Sequence, residues 1–202
     1  MNSYSVLGQR IDNSGLVTYL LSLPIRDALQ ILEIPDPGRP FPGNRRVNKK
    51  HALEFGNYWE REPGNWVVPP ILIDSESPVE SRLVETPSEV GQVYELILPV
   101  QNFGSLKILD GQHRILGWYL KSLELGLRKA DSISLYNRAV GAGDAALADR
   151  YLSQISLVDS LSERLDSESI SVTIIDSLDE KRHQQFFVDI AKNALGINKT
   201  VQ

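Results

Sequence analysis

A segment with the composition of a short strand leads almost directly into a helical pattern near the middle of the chain, and this junction constrains the fold strongly. Residues 105–109 are typical of a strand, and a helix with Leu116, Leu120 and Leu127 on one face follows. The pentapeptide 110-DGQHR-114 lies between them. A strand end and a helix N-terminus therefore share a turn of a few residues.

Further strand and helix patterns lie on both sides of this junction. A first strand is predicted from Val17 to the residues before Pro24, and a short helix follows. Other strands are predicted at 66–73, 93–100 and 170–176, and helices at 47–60, at 145–165 and after the capping box formed by Ser177 and Glu180. The segments 34–46, 74–92 and 128–144 are expected to be loops or interruptions.

The composition excludes several classes of protein. The chain has no cysteine, so disulfides, thiolate nucleophiles and zinc-cysteine sites are excluded. It also lacks the Gly-x-Ser-x-Gly elbow, the Walker lysine loop, the Rossmann glycine fingerprint and the His-Glu-x-x-His pair. No signal peptide or membrane-spanning run is recognisable, so a cytoplasmic location is expected. A net charge of −5 argues against a generally basic surface, so any contact with nucleic acid must be local.

The junction has the side chains that a phosphate site requires. The first backbone N–H groups of a helix have no intrahelical acceptor and attract anions, and Gly111 allows close approach to the backbone. Arg114 adds a guanidinium suited to phosphate oxygens, and His113 adds a donor, beside the amide of Gln112. The alternative is structural, with Gly111 forming the turn and the polar side chains facing solvent or buried carbonyls.

Asp110 does not fit simple anion binding, because a carboxylate repels phosphate. Two roles resolve this conflict. Asp110 caps the helix by accepting N–H bonds from Gln112 or His113, which is the simpler role, or it holds Mg²⁺ through water beside the phosphates.

Positive charge is concentrated before and at the start of the helix predicted at 47–60. Its residues can clamp phosphates of a nucleotide or of DNA, or they can form a solvated loop. Arg46 and Lys50, four apart on one predicted helical face, are the preferred pair. The full basic set is Arg39, Arg45, Arg46, Lys49, Lys50 and His51.

Five other residues are weaker candidates for the site. Arg26 follows the first strand and can point into the same cleft or lie on the surface. Trp59, Trp66 and Trp118 fall at apolar-face positions and are expected in the core rather than stacked on bases. His183 is expected to face solvent.

Residues 110–114 spell the pentapeptide that names the DGQHR-domain proteins, and the chain resembles this group, which includes the DNA-sulfur-modification-associated DndB proteins. More remotely, it resembles the ParB/sulfiredoxin-like superfamily, whose phosphate-binding Gly-x-[His/Arg]-Arg turn is matched by residues 111–114. The resemblance implies an α/β fold with a small mixed sheet and flanking helices. It also implies a single domain over residues 1–202, with a helical insertion or extension at about 121–167. Because Gln112 stands where sulfiredoxins carry cysteine, sulfinic-acid reduction is excluded.

Our first hypothesis from the residues and the resemblance is a nucleotide-phosphate-binding domain, acting as an Mg²⁺-dependent NTPase or NTP switch in DNA modification or phage defence. Gly111 and the following N–H groups hold phosphates, His113 and Arg114 neutralise developing charge, and Asp110 caps the helix or organises the water of the metal. Replacing Arg114 by alanine is expected to abolish nucleotide binding and to leave the fold intact. The implied partners are a nucleotide, DNA, and other proteins of a modification or defence system.

Two alternatives remain open. In a DNA-binding regulator without catalysis, Arg114 and the cluster from Arg45 to Lys50 contact backbone phosphates. In a nuclease, several carboxylates converge on one metal, and Asp74, Glu76 and Asp176 at predicted strand ends are the candidates beside Asp110.

Overall fold

A mixed seven-stranded sheet carries the helices of this protein in the computed structural model, which describes residues 3–39, 46–84, 92–99 and 106–176 together with 185, 186, 188 and 189. The strands are β1 (Ser3–Asn13), β2 (Leu16–Pro24), β3 (Ile71–Ser75), β4 (Glu80–Val84), β5 (Val93–Pro99), β6 (Leu106–Asp110) and β7 (Ser169–Asp176). The helices are α1 (Ile25–Ile31), α2 (Lys49–Arg61), α3 (Gln112–Gly141) and α4 (Ala145–Ser167).

The strand order is β4-β5-β1-β2-β7-β3-β6, and each neighbouring pair is antiparallel except β3 and β7, which are parallel. Alternate residues of the strands join the helices in one core, as period-two burial requires. Buried tryptophans from α2 and α3, Trp59 and Trp118, pack in this core with Ile73 and Val172 of the sheet. The predicted α/β fold with a small mixed sheet and flanking helices is confirmed.

The predicted strands at 93–100, 105–109 and 170–176 are confirmed, but β1 and β4 were missed. Along β1, polar residues such as Ser5 and Gln9 occupy exposed positions, so its apolar content is too low to mark a strand. The turn into β2 has a local signal, because Ser14 and Gly15 both have positive φ, as a tight two-residue hairpin requires. The strand predicted at 66–73 begins only at Ile71, after two prolines that cannot donate to the ladder.

The predicted interruption at 128–144 is wrong, because α3 continues unbroken to Gly141. Leu125, Ser132 and Ala139 are buried seven residues apart on one side of α3, and α4 packs along α3 there. Two of these three side chains are small, so the buried stripe lacks the large apolar residues from which the helix could have been recognised. The helical segment expected at about 121–167 is this α3–α4 hairpin, and the extent of the single domain stays a prediction.

Helices α2 and α3 lie side by side and run in the same direction. Cross-contacts follow one order along both helices, from Asn48 with His113 at the start to Glu60 with Arg128 at the end. Between these ends the backbones nearly touch, because a Cβ on Gly117 would stand 2.5 Å from the carbonyl oxygen of Ala52. Glycine at this crossing therefore sets the spacing of the two helices.

A buried cation joins the same two helices further along. The ammonium of Lys121 is almost fully buried and donates to Asn57 Oδ1 at 2.8 Å, Glu60 Oε2 at 2.8 Å and Glu124 Oε2 at 2.7 Å. Arg128 also donates to Glu60. Burial acts to raise the pKa of Glu60, but the hydrogen bonds from Lys121 and Arg128 hold it below its ordinary value. The cluster is internally satisfied and fixes the register of α2 on α3.

Among the described residues, no helix combines the length and the apolar character that crossing a membrane requires.

The close approach of α2 and α3 at Gly117 predicts that alanine substitution changes the free energy of unfolding very differently at two glycines of α3. Gly117→Ala should lower the free energy of unfolding by about 1–3 kcal/mol, because the added methyl pushes the two helices apart. Gly126→Ala is the matched control, since no atom lies within 4 Å of its Cβ position, and it should stabilise by about 0.5–1 kcal/mol. Urea unfolding of both variants measures these changes. Equal effects would contradict the steric origin.

Candidate functional site

The N-termini of α2 and α3 meet beside the end of β6. Strand β6 ends at Asp110, Gly111 makes the turn, and α3 begins at Gln112. The backbone N–H of Asn48, the N-cap of α2, donates to His113 Nε2 at 2.9 Å and joins the two helix starts. Because α2 and α3 run in the same direction, their electropositive ends coincide.

Gly111 is fixed by its surroundings rather than by a ligand. Its φ is 101°, in the left-handed region that favours glycine, and a Cβ there would overlap Cδ1 of Ile71. The carbonyl oxygen of Gly111 accepts from the amides of both Arg114 and Ile115, each at 3.0 Å. The amides of Gln112 and His113 precede these first intrahelical donors, so they are the groups an anion can meet.

The predicted cap by Asp110 is wrong. Gly111 is the N-cap residue of α3, and no side chain in the described part of the protein caps the first turn. The carboxylate of Asp110 instead accepts from Arg114 Nη2 at 2.8 Å across one helical turn. The backbone places Asp110 opposite Leu72 on the edge of the sheet, which turns its side chain toward this partner. Its proposed contact with a metal stays a prediction.

Arg114 is bound mainly to the protein itself. Its side chain is 12% exposed and donates to the carbonyl oxygens of Pro69 and Pro70 as well as to Asp110. Burial lowers the pKa of Arg114, and the charge of Asp110 acts in the opposite direction. The guanidinium therefore fastens the proline segment before β3 to the first turn of α3.

Gln112 is buried and also bonds inward. Its Nε2 donates to the carbonyl oxygen of Ile108 at 3.1 Å, where the pairing of β3 with β6 shifts register. The amide side chain thus supports the irregular end of the ladder, and only the backbone of Gln112 remains for a ligand.

His113 is the side chain of the pentapeptide that faces the neighbouring helix. Since Nε2 accepts the bond from Asn48, the ring proton lies on Nδ1. The ring of His51 meets it edge-on, with centroids 6.0 Å apart. Burial and the nearby His51 lower the pKa of His113, while Asp110 opposes this shift. A neutral His113 with a donor at Nδ1 is the favoured state.

The basic residues of this region are exposed at the start of α2. Lys50 has a side chain 81% exposed, and its ammonium is 3.9 Å from Glu54, which also lies 3.1 Å from His51 Nδ1. Arg46 is exposed but precedes the first helical residue, Lys49, so the expectation that Arg46 and Lys50 share a helical face is wrong. Arg39 is exposed within the segment 34–46 that was predicted as a loop, and Arg45 lies outside the described residues.

Most of the other candidates have structural roles. Arg26 forms an ion pair with Asp166 of α4 and does not enter the junction. Trp59 and Trp118 are fully buried, as expected, and Trp66 packs against the core. His183 and the predicted capping box at Ser177 lie outside the described residues.

The carboxylates considered for a nuclease do not form a metal centre in the described part of the chain. Asp74 is buried, and Glu76 forms an ion pair with Lys107. Burial raises the pKa of Asp176 and the nearby Asp74 adds to the shift, although the amide of Val79 opposes it. Within residues 3–39, 46–84, 92–99 and 106–176, no three His, Asp or Glu residues are grouped so as to hold a metal ion.

Sequence reasoning missed two residues on which the junction depends. Asn48 forms the N-cap of α2 through its side chain, which accepts from Lys50 N at 2.8 Å, and its own N–H reaches His113. An asparagine immediately before a helical pattern is a cap signal, so this role was recognisable. The packing of Ile71 over Gly111 had no local signal, because it depends on the pairing of β3 with β6.

Comparison with known proteins gives one match. A family model described as DndB, DNA-sulfur modification-associated, matches residues 6–202. Searches of curated proteins and of solved structures found no match.

The inward contacts of Arg114 predict that its replacement affects folding, contrary to the expectation of an intact fold. Arg114→Ala should lower the free energy of unfolding by about 1–3 kcal/mol, because two carbonyl oxygens lose a charged donor. Arg26→Ala is the matched control, since its exposed ion pair should contribute less than about 1 kcal/mol. Thermal and urea unfolding of both variants measure the difference, and equal stability losses would show that Arg114 is not a structural donor.

Proposed function

We propose that this chain, which belongs to the DndB family of DNA-sulfur-modification-associated proteins, binds a nucleotide through its phosphates where α2 and α3 begin. The family places the protein in the context of DNA sulfur modification. The nucleotide, its hydrolysis and the phosphate site are our proposal.

The observation that carries the proposal is the hydrogen bond from Asn48 N–H to His113 Nε2. It holds together two helix N-termini whose dipoles point the same way. The partial positive charges of two adjacent helix N-termini repel each other, and an anion near both offsets this repulsion while the first-turn amides of each helix donate to its oxygens. In this arrangement the amides of Gln112 and His113 and the Nδ1–H of His113 are the donors from α3.

Three cations, Arg46, Lys49 and Lys50, lie at or just before the start of α2 in a chain with a net charge of −5. Their exposure lets them reach an anion that lies over the helix ends, and the ammonium of Lys50 is only weakly paired, at 3.9 Å from Glu54. In this proposal Arg46 and Lys50 contact phosphates through their side chains. Gly111 and Gln112 contribute backbone N–H groups, and Arg114 fixes the turn that presents these groups.

The proposal extends to hydrolysis of the bound nucleotide. In this proposal Asp110, His113 and Arg114 act at the phosphates, with His113 donating from Nδ1 as negative charge develops and Arg114 supplying a fixed positive charge from behind the turn. Mg²⁺ would be held chiefly by the phosphates and water, as is usual for this ion, and Asp110, whose carboxylate is partly exposed beside Arg114, would contact that water. When bound, the ion would neutralise phosphate charge.

Calorimetric titration with ATP, CTP and GTP in the presence of Mg²⁺ tests nucleotide binding. Wild-type protein should bind at least one of them, and Arg46→Ala and Lys50→Ala should each weaken binding by roughly threefold to tenfold through loss of a charged contact. Lys129→Ala is the control, because this lysine pairs with Asp159 on the α3–α4 hairpin and not at the junction. Phosphate release from the bound nucleotide then tests hydrolysis. Unchanged affinity in both junction variants would contradict the proposed site.

A second candidate function, binding of DNA through its backbone, is favoured by one observation. The side chain of Lys50 is 81% exposed and lies on an open surface, which suits a polymer of phosphates as well as a nucleotide. In this case the basic start of α2 lies along the DNA and no reaction follows.

Salt dependence separates DNA binding from nucleotide binding. If α2 contacts DNA, the slope of log affinity against log salt should fall by about one for each of Arg46→Glu and Lys50→Glu, and Lys129→Glu should leave it unchanged. Fluorescence anisotropy with a labelled duplex measures these slopes. A slope that none of the substitutions changes would exclude α2 as the DNA-binding surface.

A further inference from the structure

We propose that His113 is a positioning residue whose neutral ring holds the basic start of α2 against α3, and that its protonation releases this contact. The inference rests on the proposed function only for its effect on nucleotide affinity. The contact itself exists without any ligand, since the Asn48 amide and His113 Nε2 are 2.9 Å apart.

The chemistry of the bond makes it dependent on protonation. Nε2 of a neutral imidazole accepts a hydrogen bond, whereas a protonated ring has donors at both nitrogens and no acceptor. Protonation therefore places two N–H donors against each other at the Asn48 contact. The hydrogen bond that links the described starts of α2 and α3 is thereby lost.

The surroundings of His113 act on its protonation from each neighbouring element. From α2, His51 approaches edge-on and disfavours a positive charge on His113, and the ring of His51 is itself 3.1 Å from Glu54. From the end of β6, Asp110 favours a charged ring. Within α3, the guanidinium of Arg114 turns away toward Pro69 and Pro70. Burial and His51 outweigh Asp110, so the pKa of His113 is below its ordinary value.

The lowered pKa of His113 determines how the stability of the contact depends on pH. Because the folded-state pKa of His113 is lowered, the folded protein binds fewer protons than the unfolded chain in the range below about pH 6.5. The stability that the contact contributes is complete above this pH and is lost as the pH falls toward the folded-state pKa. The basic residues Lys49 and Lys50, which follow Asn48 directly, then lose their fixed position over α3.

The affinity of this site for a nucleotide should respond to acidification in the opposite way to that of a simple cationic site. A site that depends only on positive charge binds anions more tightly as histidines become protonated. Here, acidification removes the hydrogen bond between the two helix ends, although the apolar packing of Val47, Ala52 and Leu116 remains. We therefore expect nucleotide affinity to fall as the pH decreases, although the total positive charge at the junction rises.

The contact is tested first without a ligand, by NMR titration of the ¹⁵N-labelled protein. The Asn48 amide and the His113 ring should titrate together, with a midpoint below the ordinary value of about 6.5. His113→Gln is the matched variant, because glutamine offers an amide oxygen as acceptor and does not titrate. The Asn48 amide should be insensitive to pH in this variant. Separate titration of Asn48 and His113, or an unchanged response in His113→Gln, would overturn the proposal.

Affinity for Mg²⁺-ATP, Mg²⁺-CTP and Mg²⁺-GTP is then compared between wild type and His113→Gln at each pH, which cancels protonation of the nucleotide itself. The ratio of wild-type to variant affinity should fall by roughly threefold to tenfold from about pH 7.5 to about pH 5.5. A ratio that is constant or rises would overturn the proposal and leave the proposed function standing. If no nucleotide binds at any pH, the proposed function fails and the NMR titration alone decides the role of His113.

Discussion

The close contact between α2 and α3 is the constraint on which the rest of the junction depends. At Gly117 the backbone of α3 touches the carbonyl oxygen of Ala52, and one helical turn earlier on both helices His113 meets Asn48. A side chain at position 117 would separate the helices along their whole length, including at their N-termini. The buried Lys121 then fixes the register by bonding to acceptors on both helices. Packing in the middle of the helix pair thus determines the geometry at its end.

The pentapeptide at residues 110–114 contributes to the site mainly by building it. Asp110 and Arg114 pair with each other, Gln112 bonds to the strand before it, and Gly111 accommodates Ile71. Only His113 contacts α2 through its side chain. This division explains how a short motif rich in charged groups can lie at the proposed phosphate site without directing all its charges at a ligand. The carbonyl oxygens of Pro69 and Pro70 need a donor, and Arg114 supplies it.

How far the fold could be predicted depended on how much of each element is buried by large side chains. Strand β7 has buried isoleucine and valine at alternate positions and was predicted almost to the residue. Strand β1 has polar side chains on its exposed positions, and the far half of α3 packs through Ser132 and Ala139, so neither was recognised. Tertiary packing here uses small and polar residues that carry no periodic apolar signal.

The sequence by itself determined the strand-to-helix turn at Gly111, the basic start of α2, the buried tryptophans and the family, because each depends on local composition or on a contiguous motif. Only the tertiary structure decided which of these residues meet. The pairing of Asn48 with His113, the inward bonds of Arg114 and the place of Ile71 over Gly111 join residues that are forty or more positions apart in the sequence. Such contacts are set by the pairing of strands and the spacing of helices, which no local pattern specifies.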